Sequence, residues 1–384
     1  MYVLVRCCIF FSAFSSIYTN GVDVDFIQTS RKFTADLYRT IANRYRDNFV
    51  FSPFSLQILL ALTCEGARDE TRQQLINGMF LQNSTDMVRN AYKSISENND
   101  HNFGVDLINS NAIFADLDVS LNPSFQQIAL DAYRAEFQNL NFADNVASAD
   151  SINAWIDSQT NHKITNLMTS DDVMFANLLL INGIYFKASW DKQFTEEKNM
   201  RKFYNYGREP SKVPFMRMIG SYNCYTDNEL GANFIELPYK GENLSMIIIL
   251  PVSKDGLEII EKNIFRFGEI PHWDEKSVDL TLPKFNVETA YHFADILKVL
   301  GIRKIFSPQA QLENLSENNL YITDIVQKAF INVTEAGTEA AAITVDIVGR
   351  FAERTFDIDH PFIFYIQKNG VILFTGRVNN IKNV

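Results

Sequence analysis

Apolar residues recur along the chain with two different periods, and the change of period separates predicted helices from predicted strands. In the run FIQTSRKFTADLYRTI, one helix face carries apolar residues at Phe26, Phe33, Leu37 and Ile41. The run FSPFSLQILLALTCEGARDETRQQL is also helical in pattern, with Ser52 as a candidate N-cap and Pro53 at the first helical position. Two further predicted helices are SFQQIALDAYRAEF and ADSINAWIDSQTNHKITNLM.

Strand-like runs lie between and after these helices: NLLLINGIYFKASW, FIELPYKGENLSMIIILP, SVDLTLPKFNV and YITDIVQKAFINV. The run HPFIFYIQKNGVILFTGRV holds two apolar strands around Asn369-Gly370, a dipeptide typical of a tight hairpin turn. Helices and strands mix without strict alternation, which favours an α+β fold over a doubly wound one. Because no repeat, low-complexity tract or Pro/Gly-rich linker interrupts the chain, we expect a single domain over residues 21–384.

The N-terminal segment differs from the rest of the chain. It reads MYVLVRCCIFFSAFSS, with Arg6 before an apolar centre and small residues after it. This is the pattern of a secretory signal peptide, which we expect to occupy about residues 1–20 with cleavage between Ser15 and Gly21. No other segment is long enough to cross a bilayer, so the sequence predicts a secreted protein with no membrane partner.

The charge balance argues against a polyanionic partner. The 384 residues include 35 Lys and Arg but 46 Asp and Glu, a formal net charge of −11, and no basic run. Nucleic-acid binding is therefore not expected. The helical stretch from Ser84 to Asn102 offers only Arg89 and Lys93, so it does not support a site for a heparin-type polysaccharide.

Cysteine and asparagine positions fit a secreted protein that is not held together by disulfides. Cys7 and Cys8 belong to the predicted signal peptide, which leaves Cys64 and Cys224, and the sequence leaves open whether these two pair. Candidate glycosylation sites are the asparagines of four N-x-S/T sequons, namely Asn83, Asn243, Asn314 and Asn332. Asn332 is the least suited of the four because it falls within a predicted strand.

Contiguous motifs of common enzyme and metal sites are absent from the sequence: it has no G-x-S-x-G, H-E-x-x-H, P-loop or paired C-x-x-C. The five histidines are far apart in the sequence, and none has a second His or Cys at metal-ligand spacing. They are His101, His162, His272, His292 and His360. A Ser-His-Asp triad assembled only in space would leave no contiguous motif, but nothing in the sequence points to one. The sequence therefore predicts no enzyme, cofactor or metal site.

A series of motifs, in order, resembles the signatures of the serpin family of serine protease inhibitors. The matching segments run from Phe26 to Ile381 and include NFVFSPFSLQILLALTCEGARDETRQQL, LLLINGIYFKASWDKQF, VPFMRM, IELPYKGENLSMIIILP, LTLPKFNVETAYHFADILKVLGIRKIFS, VQKAFINVTEAGTEAAAIT and DHPFIFYIQKNGVILFTGRV. The resemblance implies the α+β serpin fold, with three β-sheets, about nine helices and an exposed reactive loop over about residues 335–356.

The resemblance also implies a mechanism and a partner. An extracellular serine protease cleaves the reactive loop, and the freed part of the loop inserts into the largest sheet as a new central strand. The protease stays covalently attached in a one-to-one complex with a monomeric inhibitor. The alternative is a non-inhibitory serpin that acts as a carrier or chaperone and never uses its loop as bait.

The segment EAGTEAAAIT resembles the proximal hinge of the reactive loop, and the hinge residues are Glu335, Gly337, Thr338, Glu339, Ala340, Ala341 and Ala342. A strand that enters a packed sheet needs side chains that displace no neighbours. Thr338, Ala340, Ala342 and Thr344 alternate onto one face and are small, while Glu339 falls on the opposite face. Non-inhibitory relatives often carry bulky, charged or proline residues here, so the hinge favours inhibition.

Asp346 departs from this pattern, because continued alternation puts it on the same inward face as Thr338. Burial of an unpaired carboxylate costs several kcal/mol unless it finds a partner or is protonated. We expect either a polar partner for Asp346 low in the sheet or slower insertion past it.

The resemblance places the scissile bond within IVGRFAER, where two bonds are candidates. We call the residue before the scissile bond the bait. Counting from Gly337 by the family's commonest spacing reaches Phe351-Ala352, and a slightly shorter loop reaches Arg350-Phe351. Arg350 suits a trypsin-like protease, whose specificity pocket holds a buried carboxylate, whereas Phe351 suits a chymotrypsin-like slot. The sequence favours Arg350, keeps Phe351 as the alternative and leaves Arg354 as a minor one.

Further positions match residues that control opening of the main sheet in the family. Ser52, Ser55 and Asn182 match a polar cluster beneath the sheet, where Gln327 replaces the usual histidine. Glutamine both donates and accepts, so the resemblance implies a preserved network without the pH sensitivity of histidine. Near the top of the sheet, a family ion pair and a packed tryptophan are matched by Glu335, Lys284 and Trp190.

Overall fold

The computed structural model describes residues 18–19, 22–82, 84–97, 105–241, 243–264, 273–338 and 354–382. Within these ranges the fold is α+β, as predicted. The helices are α1 (Val24–Ala42), α2 (Pro53–Gly66), α3 (Asp69–Gly78), α4 (Asp86–Glu97), α5 (Pro123–Tyr133), α6 (Asn145–Gln159), α7 (Ser170–Val173), α8 (Leu257–Lys262) and α9 (Ala294–Val299), with a 3-10 helix at Lys304–Phe306. The first ten strands are β1 (Tyr18–Thr19), β2 (Val22–Asp23), β3 (Phe49–Phe51), β4 (Asp106–Asp116), β5 (Ala135–Leu140), β6 (Leu178–Ser189), β7 (Thr195–Glu196), β8 (Arg201–Asn205), β9 (Glu209–Val213) and β10 (Phe215–Asp227). The remaining strands are β11 (Ala232–Pro238), β12 (Leu244–Pro251), β13 (Asp274–Pro283), β14 (Phe285–His292), β15 (Asp324–Thr334), β16 (Gly337–Thr338), β17 (Arg354–Asp357), β18 (Phe362–Lys368) and β19 (Val371–Val378).

The six-stranded sheet has the order β14-β15-β16-β6-β4-β5. Its central strands β6 and β15 run parallel and pair from Asp324 opposite Leu179 to Phe330 opposite Tyr185. We call this parallel interface the seam, and the end of the sheet that contains Ser189 the top. Above the seam, β16 separates the two strands and is antiparallel to both.

Both faces of this sheet are covered, which explains why β6 reads as an almost continuous apolar run rather than an alternating one. The helix α6 packs on one face, and α2, apolar on all sides and almost wholly buried, lies beneath the other. Gly183 permits the close approach of α6, because a Cβ atom there would lie 2.0 Å from Cδ1 of Ile156. Any separation of the strands of this sheet would therefore take place inside a packed core.

The other large sheet has nine strands, and β10 joins its two parts. β10 pairs with β13 along Phe215–Cys224 and then with β11 through Asp227. One part holds β17, β13, β10 and β7, and the other holds β11, β12, β18, β19 and β3. Together with the six-stranded sheet, these parts account for the three sheets that the sequence predicts, and β1-β2 and β8-β9 form separate two-stranded ribbons.

Several local predictions are confirmed. Ser52 caps α2 by accepting a hydrogen bond from the backbone of Ser55, and Pro53 is the first residue of that helix. The predicted hairpin forms between β18 and β19, with Asn369 at φ 52° and Gly370 at φ 84°. Both residues have the left-handed backbone that a two-residue hairpin turn demands.

Two predicted helices are shorter than their patterns. The run that begins at Ser52 breaks into α2 and α3, because Ala67 and Arg68 adopt extended backbone. The run over 149–168 ends at Gln159, and the next residues, Asn161 and His162, have left-handed backbone. In both cases the apolar spacing continues past a residue whose backbone cannot continue the helix.

Candidate functional site

The start of the predicted hinge is already a strand of the six-stranded sheet. Gly337 and Thr338 form β16, in which Thr338 lies opposite Val333 of β15 and Ala188 of β6. The other predicted hinge residues, Glu339, Ala340, Ala341 and Ala342, lie outside the described residues, as does Asp346. The top of the sheet therefore holds the N-terminal end of the hinge between the two strands that flank the seam.

Gly337 is required by the geometry of this insertion. Its φ is 142°, in the region that favours glycine, and a Cβ atom built on it would lie 2.0 Å from the carbonyl oxygen of Ala188. Any side chain at this position would collide with the backbone of β6. The hinge can therefore turn into the sheet only at a glycine.

Thr338 is fully buried, and its hydroxyl lies 3.0 Å from the hydroxyl of Tyr239. Burial raises the pKa of the Tyr239 phenol well above its usual range, so the group is neutral and able to share a proton with Thr338. The Tyr239 ring stacks on Trp190, with ring centroids 4.3 Å apart. Sequence reasoning missed Tyr239, although it follows Pro238 within one of the quoted motifs.

Trp190 holds the turn that leads into the hinge. Its indole Nε1 donates to the carbonyl oxygen of Thr334 at 3.0 Å, and its backbone N–H donates to that of Ala336 at 3.2 Å. These two bonds bracket Glu335. The tryptophan thus fixes the backbone between β15 and β16 in addition to filling space.

Lys284 and Glu335 form an ion pair at the same turn. Lys284 Nζ lies 2.9 Å from Glu335 Oε1 and 3.4 Å from Glu196 Oε1. The hydrogen bond to Glu335 is the main reason that the pKa of Lys284 is raised. One ammonium group therefore connects the junction of β13 and β14 with β7 and with the turn before the hinge.

A polar cluster bridges the seam at mid-height. Gln327 of β15 accepts from the backbone N–H of Ser52 at 2.8 Å and donates to the backbone oxygen of Ser52 at 3.1 Å. The same amide nitrogen of Gln327 donates to Asn182 Oδ1 of β6 at 2.9 Å. All three side chains are fully buried. The cluster therefore ties both strands of the seam to the start of α2.

The cluster extends further than the sequence indicated. Ser52 Oγ lies 2.9 Å from Ser55 Oγ, as the predicted grouping implies. The amide nitrogen of Asn182 also donates to the side-chain oxygens of Asn109 at 2.6 Å and Asn111 at 2.9 Å, both on β4. The available signal was the pair of asparagines two residues apart in the otherwise apolar run LINSNAIFA, and no local rule connects that run with Asn182.

The distal end of the predicted reactive loop is also held in a strand. Arg354 begins β17, which pairs in parallel with β13. Its guanidinium donates to Asn233 Oδ1 at 2.5 Å and to Thr226 Oγ1 at 3.2 Å. The predicted bait residues Arg350, Phe351 and Ala352 lie outside the described residues. Near both ends of the loop predicted over 335–356, the described residues therefore form strands, β16 at Gly337–Thr338 and β17 from Arg354.

Among the sequon asparagines that the structure describes, Asn243 has the most open position, because it is exposed in the turn between β11 and β12 with φ 55°. The amide group of Asn314 is engaged: its Oδ1 accepts from Arg68 Nε at 2.5 Å and its Nδ2 donates to the backbone of Ala67 at 3.5 Å. Asn332 is an interior residue of β15, and Asn83 lies outside the described residues.

The two remaining cysteines do not pair. Cys64 and Cys224 are both free and buried, and burial raises the pKa of the Cys64 thiol to about 11. This answers the question that the sequence left open, in favour of small buried side chains.

The described histidines are dispersed, and His101 and His272 lie outside the described residues. His292 Nδ1 lies 2.7 Å from Asp324 Oδ2, and its Nε2 lies 3.8 Å from Asp172 Oδ1. Within the described ranges, no three His, Cys, Asp or Glu side chains form a group that could hold a metal ion. The helices in those ranges include none with the length and apolar character needed to cross a membrane.

Comparisons with known proteins agree with this geometry. A family model described as Serpin (serine protease inhibitor) matches residues 28–381. The chain is 32% identical to Antichymotrypsin-2 of Bombyx mori over 374 residues, which cover 94% of this chain and 98% of that protein. It is 31% identical to Antitrypsin of Bombyx mori over 375 residues, 94% of each chain. Among solved structures, Serpin48 of the insect Tenebrio molitor superposes with a TM-score of 0.86 at 33% identity, covering 93% of this chain and 98% of that one.

Proposed function

Because the chain belongs to the serpin family of serine protease inhibitors, which are not enzymes but include some non-inhibitory members, we propose that it is a secreted suicide-substrate inhibitor. Its target is an extracellular serine protease. Cleavage of the reactive loop is followed by insertion of the hinge into the six-stranded sheet, and the protease is held in a covalent one-to-one complex.

The observation that carries this proposal is the position of β16. Gly337 and Thr338 already lie between the ends of β6 and β15, the two strands between which the following hinge residues would insert. Small side chains follow at Ala340 and Ala342, where the inward face of the new strand has to fit a packed sheet. A loop that served only as a surface for a carried ligand would need neither feature.

The pairing of the strands in this sheet favours insertion. The seam is a parallel interface, whereas β16 is antiparallel to both of its neighbours. Insertion thus replaces one parallel interface with two antiparallel ones, whose pairing is slightly more stable per residue. Each added ladder hydrogen bond contributes roughly 0.5–1.5 kcal/mol net.

Asp346 remains the feature that opposes complete insertion. On the inward face it costs several kcal/mol unless it is protonated or meets a polar partner. The proposal therefore includes slower insertion in this chain than in a variant with Asp346→Ala.

We assign the bait to Arg350 and the target to the trypsin-like class, and keep Phe351 with a chymotrypsin-like target as the alternative. The Gly349-Arg350 pair supports the first assignment, because it resembles the Gly-Arg that precedes the cleaved bond in some inhibitors of clotting-type proteases. The relatives named antitrypsin and antichymotrypsin are almost equally similar to this chain, so their names favour neither target.

Secretion is supported by the N-terminal segment and by the sequons. The exposed turn position of Asn243 makes it the sequon best placed to carry a glycan. Mass spectrometry of the protein secreted from a eukaryotic host would give the mature N-terminus and the occupancy of each sequon.

The decisive experiment mixes the purified protein with a trypsin-like or a chymotrypsin-like protease and analyses both mixtures on a denaturing gel. We expect a denaturation-resistant adduct with the trypsin-like enzyme and a released C-terminal peptide that starts at Phe351. A peptide that starts at Ala352 would move the bait to Phe351. Cleavage in this loop without an adduct from either enzyme would favour the carrier, or an Asp346 that stalls insertion. Asp346→Ala separates these two outcomes, because it restores the adduct only in the second.

A hinge variant separates insertion from cleavage. In Thr338→Arg, a charged side chain replaces one that is fully buried and lies in hydrogen-bonding contact with Tyr239. The protease should still cleave the loop, but the hinge should not insert, so no adduct should accumulate. Thr338→Ser keeps the hydroxyl and is the matched control, which should retain the adduct.

A further inference from the structure

A second arginine follows the predicted bait closely: Arg354 comes four positions after Arg350 in GRFAERT. A trypsin-like protease holds either side chain in the same carboxylate-lined pocket. We propose that Asn233 and Thr226 mask the guanidinium of Arg354, which confines such a protease to bonds earlier in the loop. This inference rests on the proposed function, because it concerns which bond the target reaches.

The mask consists of directed hydrogen bonds. Arg354 Nη2 donates to Asn233 Oδ1 at 2.5 Å, and Nη1 donates to Thr226 Oγ1 at 3.2 Å. Thr226 Oγ1 in turn donates to Asn233 Oδ1 at 2.9 Å. A protease that draws the guanidinium into its own pocket has to break both contacts of Arg354 first.

The partners are positioned by a cross-strand pair. Thr226 of β10 lies directly opposite Asn233 of β11 in the register of that hairpin. Their side chains therefore stand together on this hairpin, and Arg354 reaches them from β17 at the edge of the sheet. The acceptors do not depend on the conformation of the reactive loop.

The backbone around Arg354 adds to the protection. Arg354 lies opposite Val278 and Thr355 opposite Asp279, so both residues of the bond between them belong to β17. A serine protease needs the scissile carbonyl of a freely accessible chain to reach its nucleophile and its oxyanion hole. Cleavage after Arg354 thus requires β17 to leave the sheet.

Side-chain contacts of β17 help to hold this short strand in the sheet. It has four residues and lies at the edge of the sheet, where β13 is its only partner among the described strands. Phe356 is buried, and Asp357 accepts from Arg201 Nη2 at 2.9 Å. Arg354 secures the N-terminal end of the strand, which is the end nearest to the bait.

The test is limited proteolysis with trypsin, in which the rate of appearance of the C-terminal peptide that starts at Thr355 is measured by mass spectrometry. Every variant is also made with Arg350→Ala, so that the bond after Arg354 is assayed without competition. We expect Asn233→Ala to raise the rate of this cleavage at least tenfold over Arg350→Ala alone, and Thr226→Val to raise it less.

Two further variants separate positioning from loss of structure. Asn233→Asp retains an acceptor for the guanidinium and should restore protection, which a merely destabilised hairpin would not. Asn223→Ala is the matched control on the same strand as Thr226, because Asn223 donates to Glu236 at 2.9 Å and makes no contact with Arg354 in the structure. It should leave the cleavage rate unchanged.

Equal cleavage after Arg354 in Arg350→Ala and in its Asn233→Ala form would overturn the inference. So would failure of Asn233→Asp to restore protection while its thermal midpoint matched that of the parent. Failure of the proposed function has a different signature, because absence of a protease adduct leaves the ratio of these cleavage rates measurable. The mask and the bait are therefore tested independently.

Discussion

Gln327 Nε2 lies 2.9 Å from Asn182 Oδ1, and this hydrogen bond crosses the seam between β15 and β6. Both side chains are fully buried, so water cannot replace the bond while the sheet is closed. Insertion of a strand between these two residues has to break it. The native sheet is thus held closed in the middle by a bond that the proposed mechanism removes.

Replacement of Gln327 by leucine should lower the stability of the native sheet. Asn182 and the backbone N–H of Ser52 would each lose a buried partner, and an unsatisfied group of this kind costs about 1–3 kcal/mol. A fall in the thermal midpoint, measured by circular dichroism, is the expected result. Gln159→Leu, at a partly exposed position of α6, is the control, and equal midpoints for the two variants would contradict the prediction.

Glu335→Lys should convert the ion pair with Lys284 into a like-charge contact at the turn before the hinge. We expect the top of the sheet to open and the protein to form polymers or an inactive inserted form. Native gels and size-exclusion chromatography measure both products. Glu196→Lys is the control, since Glu196 also contacts Lys284 but is largely exposed on β7. A monomeric and fully active Glu335→Lys would disprove this role.

Gly337→Ala should prevent the hinge from lying between β6 and β15, because its Cβ would sit 2.0 Å from the oxygen of Ala188. The same collision obstructs full insertion. We therefore expect that, for each covalent adduct formed, more of the inhibitor is cleaved without trapping the protease than in the parent protein. Gly301→Ala is matched in backbone, with φ 89°, but a Cβ there meets no atom within 4 Å. If both variants formed the adduct with the same stoichiometry, the steric argument would fail.

His292 should make the native state depend on pH. Its hydrogen bond to Asp324, aided by the charges of Asp324 and Asp172, raises the pKa of His292. A raised folded-state pKa contributes stability that is fully present below the unfolded value of about 6.5 and lost as the pH rises through the folded value. Since His292 is partly exposed, we expect less than about 1 kcal/mol from it.

The measurement compares thermal midpoints of the parent protein and His292→Asn at about pH 5.5 and about pH 9. The thermal midpoint of the parent should exceed that of His292→Asn by more at the acidic pH than at the basic pH. In an Asp324→Asn background this pH dependence should shrink, because the main partner of the imidazolium is gone. If the difference in thermal midpoint between the parent and His292→Asn did not change with pH, His292 would not be the source of this pH dependence.

Local signals in the sequence were sufficient for the elements that depend on neighbours in the chain. Ser52 caps α2, and Asn369 and Gly370 turn a hairpin, because each needs only a short-range backbone arrangement. The resemblance to serpins supplied the order in which these elements are assembled.

Helix ends were less predictable than helix positions. Apolar spacing continued beyond Gln159, but Asn161 and His162 turn into left-handed backbone, and Thr160 donates its hydroxyl to the oxygen of Ile156. Such termini depend on competing hydrogen bonds rather than on the periodicity of apolar residues.

The sequence by itself determined where the main apolar helices and strands lie and which family the chain resembles. Only the tertiary structure decided that β16 already lies between β6 and β15 and that Asn182 reaches Asn109 and Asn111. It also brought Arg354 to Asn233, 121 residues away in the chain. The reason is that these contacts are made between strands distant in sequence, and their partners are selected by the packing of whole sheets rather than by local preference.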